Sequence, residues 1–239
     1  SLFEKKICVA WEKTAKDFPK EKTIVTGNPI RKFRAQSSEW ARFANRVPEE
    51  KEPLIYVTGG SAGSHTINIA LEMCLDKLLA RFKIIHQTVD SRDYKDYDRL
   101  KEFREDLSPE LKKRYTMTKF VDAKSVGSIM ANSSLVVSRA GINTITELLA
   151  FGKPALLIPL NSEQIENAQF MKKVGLAEIL SSENLTGTTL LSHIQSMMGR
   201  ISSFDGKKDS SKAVVKEDAA KEIARIIIDA LETGARKAA

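Results

Sequence analysis

Apolar runs of strand length alternate with segments of helical period along almost the whole chain. Leu54-Ile55-Tyr56-Val57 is one such run, and it ends in Gly59-Gly60-Ser61-Ala62-Gly63. Behind it Ile67, Leu71, Cys74, Leu78 and Phe82 recur at three- or four-residue spacing, which is the pattern of one buried helical stripe. The same alternation predicts strands over 83–87, 116–121, 135–137, 155–159 and 177–180. Helices are predicted over 94–115, 124–131, 143–150 and 163–174, the third of them ended by Gly152. Ahead of this series, residues 7–11 and 23–25 read as short strands around a helix or turn at 12–18, and 48–53 is a polar break. Past residue 180 the character changes to a helix over 188–200 and a polar linker over 202–211. A last helix follows, striped by Val215, Ala219, Ile223, Ile227 and Leu231.

Strand, helix, strand, repeated this often, predicts an α/β fold with a parallel sheet covered by helices on both faces. Right-handed crossovers then bring the loop after each strand to one edge of the sheet. Ligands of such sheets bind at that edge, where the strand order reverses. Every motif with chemical content below lies in such a loop.

Composition narrows the picture. The 239 residues are 42% hydrophobic and 29% charged with only 12 Gly and 7 Pro, which excludes collagen-like, disordered and fibrous chains. No run of 18 apolar residues is present to span a membrane as a helix. Cys8 and Cys74 are too few for a disulfide framework or a four-cysteine zinc site. The excess of 38 basic over 31 acidic residues, +7, attracts phosphates, anionic headgroups or nucleic acid without choosing among them. The basic residues are spread out, with no Lys/Arg run interleaved with aromatics, so no nucleic-acid partner is expected. The chain opens Ser1-Leu2-Phe3 without methionine or a signal-peptide core, and so reads as an excised or processed piece of something longer.

Four loops carry candidate chemistry. Gly59 to Gly63 joins a strand to a helix, so its small residues can bring backbone N–H groups and a helix dipole against a diphosphate. The same five residues fit G-x-S-x-G, the elbow of a serine hydrolase, which would need a histidine from among His65, His86 and His193. In Gly27-Asn28-Pro29-Ile30-Arg31 the proline stiffens a turn that offers Arg31, whose guanidinium can grip a phosphate or simply face solvent. Ser138 to Glu147 again opens a helix after a strand. Thr144 to Glu147 fits a capping box, and Glu147 could alternatively accept both hydroxyls of a vicinal diol such as a ribose. Asn161 to Ala168 puts polar side chains after the next strand, suited to sugar hydroxyls or to an ordinary helix start.

In this order and context the segments Val25 to Arg31, Val57 to Ser61, Val137 to Glu147, and Lys153 to Pro159 with Gln164, Asn167 and Ala168 resemble the MurG family. The match runs from near Lys20 to near Glu232, and Arg139 to Glu147 is its most specific block. The chain departs from the family pattern at Ala62, where many relatives carry Gln, and at Glu163, where some carry Gln or His.

The resemblance implies the C-terminal half of a GT-B glycosyltransferase, a Rossmann-like doubly wound parallel sheet. Residues 27–239 would be the donor domain with its C-terminal helix, and 1–26 the end of a missing acceptor domain and the connection out of it. The implied reaction is inverting transfer of GlcNAc from UDP-GlcNAc to undecaprenyl-pyrophosphoryl-MurNAc-pentapeptide, for peptidoglycan. It implies an enzyme peripheral on the inner face of the cell membrane, drawn to an anionic membrane surface, with no cofactor and no metal. By the resemblance, Gly60, Ser61 and Gly63 with Arg31 would hold the diphosphate, and Val121 would pair with uracil through backbone groups. Ile142, Asn143 and Thr144 would form the helix start over phosphates and sugar, Glu147 would take the ribose hydroxyls, and Glu163 and Gln164 would read GlcNAc. The base would lie in the missing domain. The alternatives are a donor subunit of a split UDP-GlcNAc transferase and a serine hydrolase through Ser61.

Overall fold

The computed structural model describes residues 6–30, 52–89, 93–207, 214–216 and 218–238, and the side chains of 123, 124 and 233–238 are not among the features described. The chain divides into two compact units, Ser1–Arg31 with Ala213–Ala239, and Lys32–Lys212.

The smaller unit holds strands β1 (Ile7–Val9) and β2 (Thr23–Val25), paired in parallel with Ile7 opposite Thr23, around the short helix α1 (Glu12–Ala15). The C-terminal helix α10 (Ala219–Ala238) belongs to it. Val215, expected on that helix, precedes its first turn. The predicted stripe is only partly buried: Ala219 is covered, whereas Ile227 and Leu231 are 54% and 69% exposed.

The larger unit is built on β3 (Leu54–Thr58), β4 (Lys83–Gln87), β5 (Tyr115–Thr118), β6 (Leu135–Ser138), β7 (Ala155–Leu157) and β8 (Ala177–Ile179). All five pairings are parallel, in the order β5-β4-β3-β6-β7-β8. Counted within the sheet this is 3-2-1-4-5-6, the doubly wound order of dinucleotide-binding folds. Every residue of β3, β4, β6 and β7 is buried, as a sheet covered on both faces requires. The edge strands β5 and β8 keep only their first residues fully buried.

The helical stripe from Ile67 to Phe82 is buried throughout, and its segment forms two helices, α2 (His65–Glu72) and α3 (Leu75–Leu79). The stretch expected to be one helix over 94–115 also divides, into α4 (Asp96–Asp106) and α5 (Pro109–Arg114). Ser108 caps the second helix and Pro109 takes its first position, where a missing N–H costs nothing. The strand expected over 116–121 starts and stops earlier, at Tyr115 and Thr118, which leaves Phe120 and Val121 in the loop behind it. Helices α6 (Ala123–Asn132), α7 (Ile142–Phe151), α8 (Ser162–Val174) and α9 (Gly187–Gly199) fall within a residue or so of their predicted bounds. Gly152 and Gly175 end α7 and α8 in the left-handed conformation. The expected linker after α9 starts as 3-10 turns over Ile201–Lys207, anchored by buried Phe204.

Candidate functional site

The strand order reverses between β3 and β6, which pair directly, Thr58 beside Ser138. The loop after β3 runs from Gly59 to Ser64, and the loop after β6 from Arg139 to Gly141. The first of these folds back on itself. A Cβ on Gly59 would lie 2.2 Å from the Gly63 carbonyl carbon and the Ser64 nitrogen, so only glycine permits the turn. Gly63 has φ +73°, and a Cβ there would meet the Val89 Cβ at 2.7 Å. Ser64 then caps α2 by accepting the Ile67 N–H at 3.4 Å. The Ser61 side chain is exposed at the crest of the loop and shares no hydrogen bond with any described residue.

The loop after β6 ends in a helix start of different character. Gly141 is the N-cap of α7 and supplies no side-chain cap, so the Ile142 and Thr144 N–H groups carry no capping hydrogen bond. The capping box expected from Thr144 to Glu147 does not form, because α7 begins two residues earlier, at Ile142. Ile145 N–H bonds to the Gly141 carbonyl at 3.0 Å, which places Thr144 in the first turn and Glu147 in the second. Glu147 is 6% exposed, a carboxylate set into the helix close to its N-terminus. Helix starts with open N–H groups and a positive dipole end attract phosphates.

Arg139 lies beneath these loops. It is buried, donating from Nη1 to the Ile158 carbonyl at 3.0 Å and to Ser182 Oγ at 2.8 Å, and from Nη2 to Thr66 Oγ1 at 2.8 Å. Burial pulls its pKa down from the ordinary value, yet a guanidinium remains charged at neutral pH. The edge thus rests on a fixed positive charge. Asn167 of α8 donates to the Ala140 carbonyl at 3.1 Å and holds the same loop from the other side.

Glu163 and Gln164 lie in the first turn of α8, on the next loop along the edge. Gln164 is engaged in capping its own helix: its N–H donates to Asn161 Oδ1 at 2.9 Å, and its Oε1 accepts the Leu160 N–H at 3.1 Å. Only its amide NH2 is left without a hydrogen bond to a described residue. Glu163 is exposed. Val121 follows β5 with its side chain buried, beside Phe120, which is 62% exposed. Its N–H donates to Gln87 Oε1 at 3.1 Å, whereas no described residue donates to its carbonyl. Arg31 lies outside the described residues.

The structure brings Gly60, Ser61 and Gly63 together with Ile142, Asn143 and Thr144 at the switch point, with Val121 on one side and Glu163 and Gln164 on the other. Among the described residues no hydrolase triad is assembled. His65 is held by Asp96, Nδ1 to Oδ1 2.8 Å, and stacks on Tyr94 with ring centroids 3.9 Å apart. No hydrogen bond reaches it from Ser61. His86 is sealed in the core between the Tyr115 hydroxyl at 2.9 Å and Asn68 Oδ1 at 3.0 Å, and His193 bonds to the Thr189 carbonyl of its own helix.

Asn68 donates to Asp96 Oδ2 at 2.8 Å and to the Thr88 carbonyl at 3.1 Å, which completes a buried polar chain from His65 to Tyr115 under α2. Sequence reasoning assigned no part to Asn68, Gln87 or Asp96. For Gln87 the available signal was the run His86-Gln87-Thr88, polar residues at and just past the end of a strand that is apolar at Ile84 and Ile85.

Residues 54–224 match the profile of the glycosyltransferase family 28 C-terminal domain. The chain is 35% identical over 194 residues to a UDP-N-acetylglucosamine–N-acetylmuramyl-(pentapeptide) pyrophosphoryl-undecaprenol N-acetylglucosamine transferase of Treponema denticola, covering 77% of this chain and 49% of that protein. A Bacillus thuringiensis transferase of the same description is 32% identical over 200 residues, covering 82% and 53%. The chain therefore spans about half the length of the curated relatives it matches. Among solved structures, Acinetobacter baumannii MurG has a similar fold, with a TM-score of 0.68 at 23% identity over 94% of this chain and 60% of that one. The kitacinnamycin glycosyltransferase gives 0.64 at 18%, over 92% and 54%.

Proposed function

Because the chain belongs to the glycosyltransferase family 28 C-terminal domain family, we propose that it is the donor-binding half of an enzyme that transfers GlcNAc from UDP-GlcNAc to a lipid-linked MurNAc-pentapeptide. Residues 27–239 would form the donor domain, and residues 1–26 the end of an acceptor-binding half. One observation carries the assignment: the uncapped start of α7 lies beside the Gly59–Ser64 loop at the switch point, with Glu147 buried one turn further along the helix. An anionic diphosphate suits the open N–H groups, and a ribose diol suits the carboxylate.

In the reaction so proposed, the acceptor hydroxyl attacks C1 of GlcNAc as the C1–oxygen bond to UDP breaks, with inversion. The acceptor proton passes to a base outside this half. Negative charge gathers on the departing diphosphate. The Ile142 and Thr144 N–H groups, the α7 dipole and the buried Arg139 charge meet it without reorganising, which is where such electrostatic stabilisation is largest. Arg31 would add a bidentate grip. The Val121 carbonyl would accept the uracil N3–H, and Glu163 with the Gln164 amide would meet the sugar hydroxyls. Attraction of the complete enzyme to an anionic membrane surface belongs to the same reading.

Calorimetric titration with UDP-GlcNAc, with UDP-GalNAc and NADH as controls, tests this. UDP-GlcNAc binds, and Arg31→Ala and Glu147→Ala weaken it. Absence of binding both to this protein and to a form extended toward the length of its relatives would refute the donor assignment. Covalent capture of Ser61 by a fluorophosphonate would favour the hydrolase instead.

A further inference from the structure

Gln87 ends β4 facing the switch-point edge and is 5% exposed. Its single amide joins two of the loops just described. Nε2 donates to the Gly60 carbonyl at 3.1 Å, inside the glycine loop. Oε1 accepts the Val121 N–H at 3.1 Å, in the loop after β5, and also the Tyr56 hydroxyl at 3.3 Å.

The orientation of this amide is forced. Turned over, it would put an NH2 against the Val121 N–H and an oxygen against the Gly60 carbonyl, two repulsive contacts in a buried place. The two loops it joins leave different strands, β3 and β5, which do not pair with each other. Gly60 itself is held on its other side by its N–H to Thr58 Oγ1 at 3.0 Å. The peptide between β3 and the crest is thereby fixed from both ends.

We propose that Gln87 is a positioning residue of the donor site, setting the distance between the loop that receives the diphosphate and the segment that receives the base. The inference rests on the donor reading above. A nucleoside diphosphate has a fixed span from base to phosphate. A site whose two halves are already held at that span does not spend binding energy on bringing them together. Without the bridge each half still binds its own fragment, but the two must be ordered against each other by the ligand.

The test compares UDP, uridine and inorganic pyrophosphate by calorimetry on the wild-type protein and on Gln87→Met, which keeps the length of the side chain and removes all three hydrogen bonds of the amide. UDP is expected to weaken about tenfold, while uridine and pyrophosphate each change less than about twofold. Thermal unfolding without ligand checks that the variant is folded. Should it not fold, Gln87→Asn takes its place, since that amide is one methylene too short to reach Gly60 and Val121 together. UDP affinity within twofold of wild type in a folded variant would overturn the proposal, and so would equal losses for all three ligands, the sign of general loosening. Failure of UDP to bind either the wild-type protein or its extended form would remove the donor reading itself and this inference with it.

Discussion

Arg139, the first residue after β6, donates to Thr66 Oγ1 in the first turn of α2 at 2.8 Å, so that one buried guanidinium ties the loop after β6 to the helix that follows the glycine loop across the switch point. Its other hydrogen bonds run to Ile158 after β7 and Ser182 after β8, so that one side chain joins the segments that follow β3, β6, β7 and β8.

A lysine in this place would carry the charge but not the fork. Arg139→Lys is expected to destabilise the protein by about 2–3 kcal/mol, because a single ammonium cannot serve acceptors placed in different directions. Urea denaturation checks this. A change below about 0.5 kcal/mol would show that the three bonds are not held in solution.

His86 makes the fold acid-sensitive. With Asn68 Nδ2 committed as a donor, Asn68 Oδ1 faces His86 Nε2–H, and His86 Nδ1 is left to accept the Tyr115 hydroxyl hydrogen. The ring is neutral, and burial pushes its pKa from 6.5 down to about 3. Between those values the unfolded chain binds a proton that the folded chain refuses, so the contribution to stability is complete above the unfolded pKa and lost as pH falls toward 3. The slope from this group is about 1.4 kcal/mol per pH unit below about pH 6. His86→Asn, compared with wild type by denaturant titration between pH 7 and pH 4, should lose about one proton's worth of that slope. Parallel pH profiles for the two proteins would contradict it.

Gly63 and Val89 should be energetically coupled. Gly63→Ala places a methyl group 2.7 Å from the Val89 Cβ on a backbone at φ +73° and is expected to cost more than about 2 kcal/mol. Val89 is itself left-handed at φ 57°, unusual for a β-branched residue, so Val89→Gly relieves strain while removing the clashing atoms. In the double variant part of the Gly63→Ala loss returns, giving a coupling of about 1 kcal/mol or more. Strict additivity would show that the two loops do not touch as described.

Glu147 should read the ribose. The wild-type protein is expected to prefer UDP over 2′-deoxy-UDP by about tenfold or more, and Glu147→Ala to lose that preference while still binding both weakly. An unchanged ratio in the variant would move the ribose contact elsewhere.

The strand–helix alternation was legible because strands buried on both faces must be apolar runs, and β3, β6 and β7 are such runs. Gly59 and Gly63 were legible for a related reason, since a chain that passes this close to itself admits no side chain. What the pattern could not carry was the competition for α7. Thr144 to Glu147 satisfies the local rule for a cap, and only the tertiary placement of Gly141, three residues past the end of β6, decides that the helix starts earlier. Gln164 shows the reverse case, where the bland reading of a helix start holds for half of its amide. Gln87, Asn68 and Asp96 act through partners 18 to 34 positions away in sequence, and no local periodicity reports such pairs.

The pairing of Ile55 with Leu135 joins positions about 80 residues apart, across two intervening strands. Loop closure over that span must be met before any of the pairing is rewarded, which makes assembly of a parallel sheet slow. The two switch-point loops hang from these two strands and so take their places late, in the same event. A ligand that needs both finds nothing to hold in a partly folded chain. Its effect on kinetics should therefore fall on the rate of unfolding, lengthening the life of the folded state, and leave the rate of folding nearly unchanged.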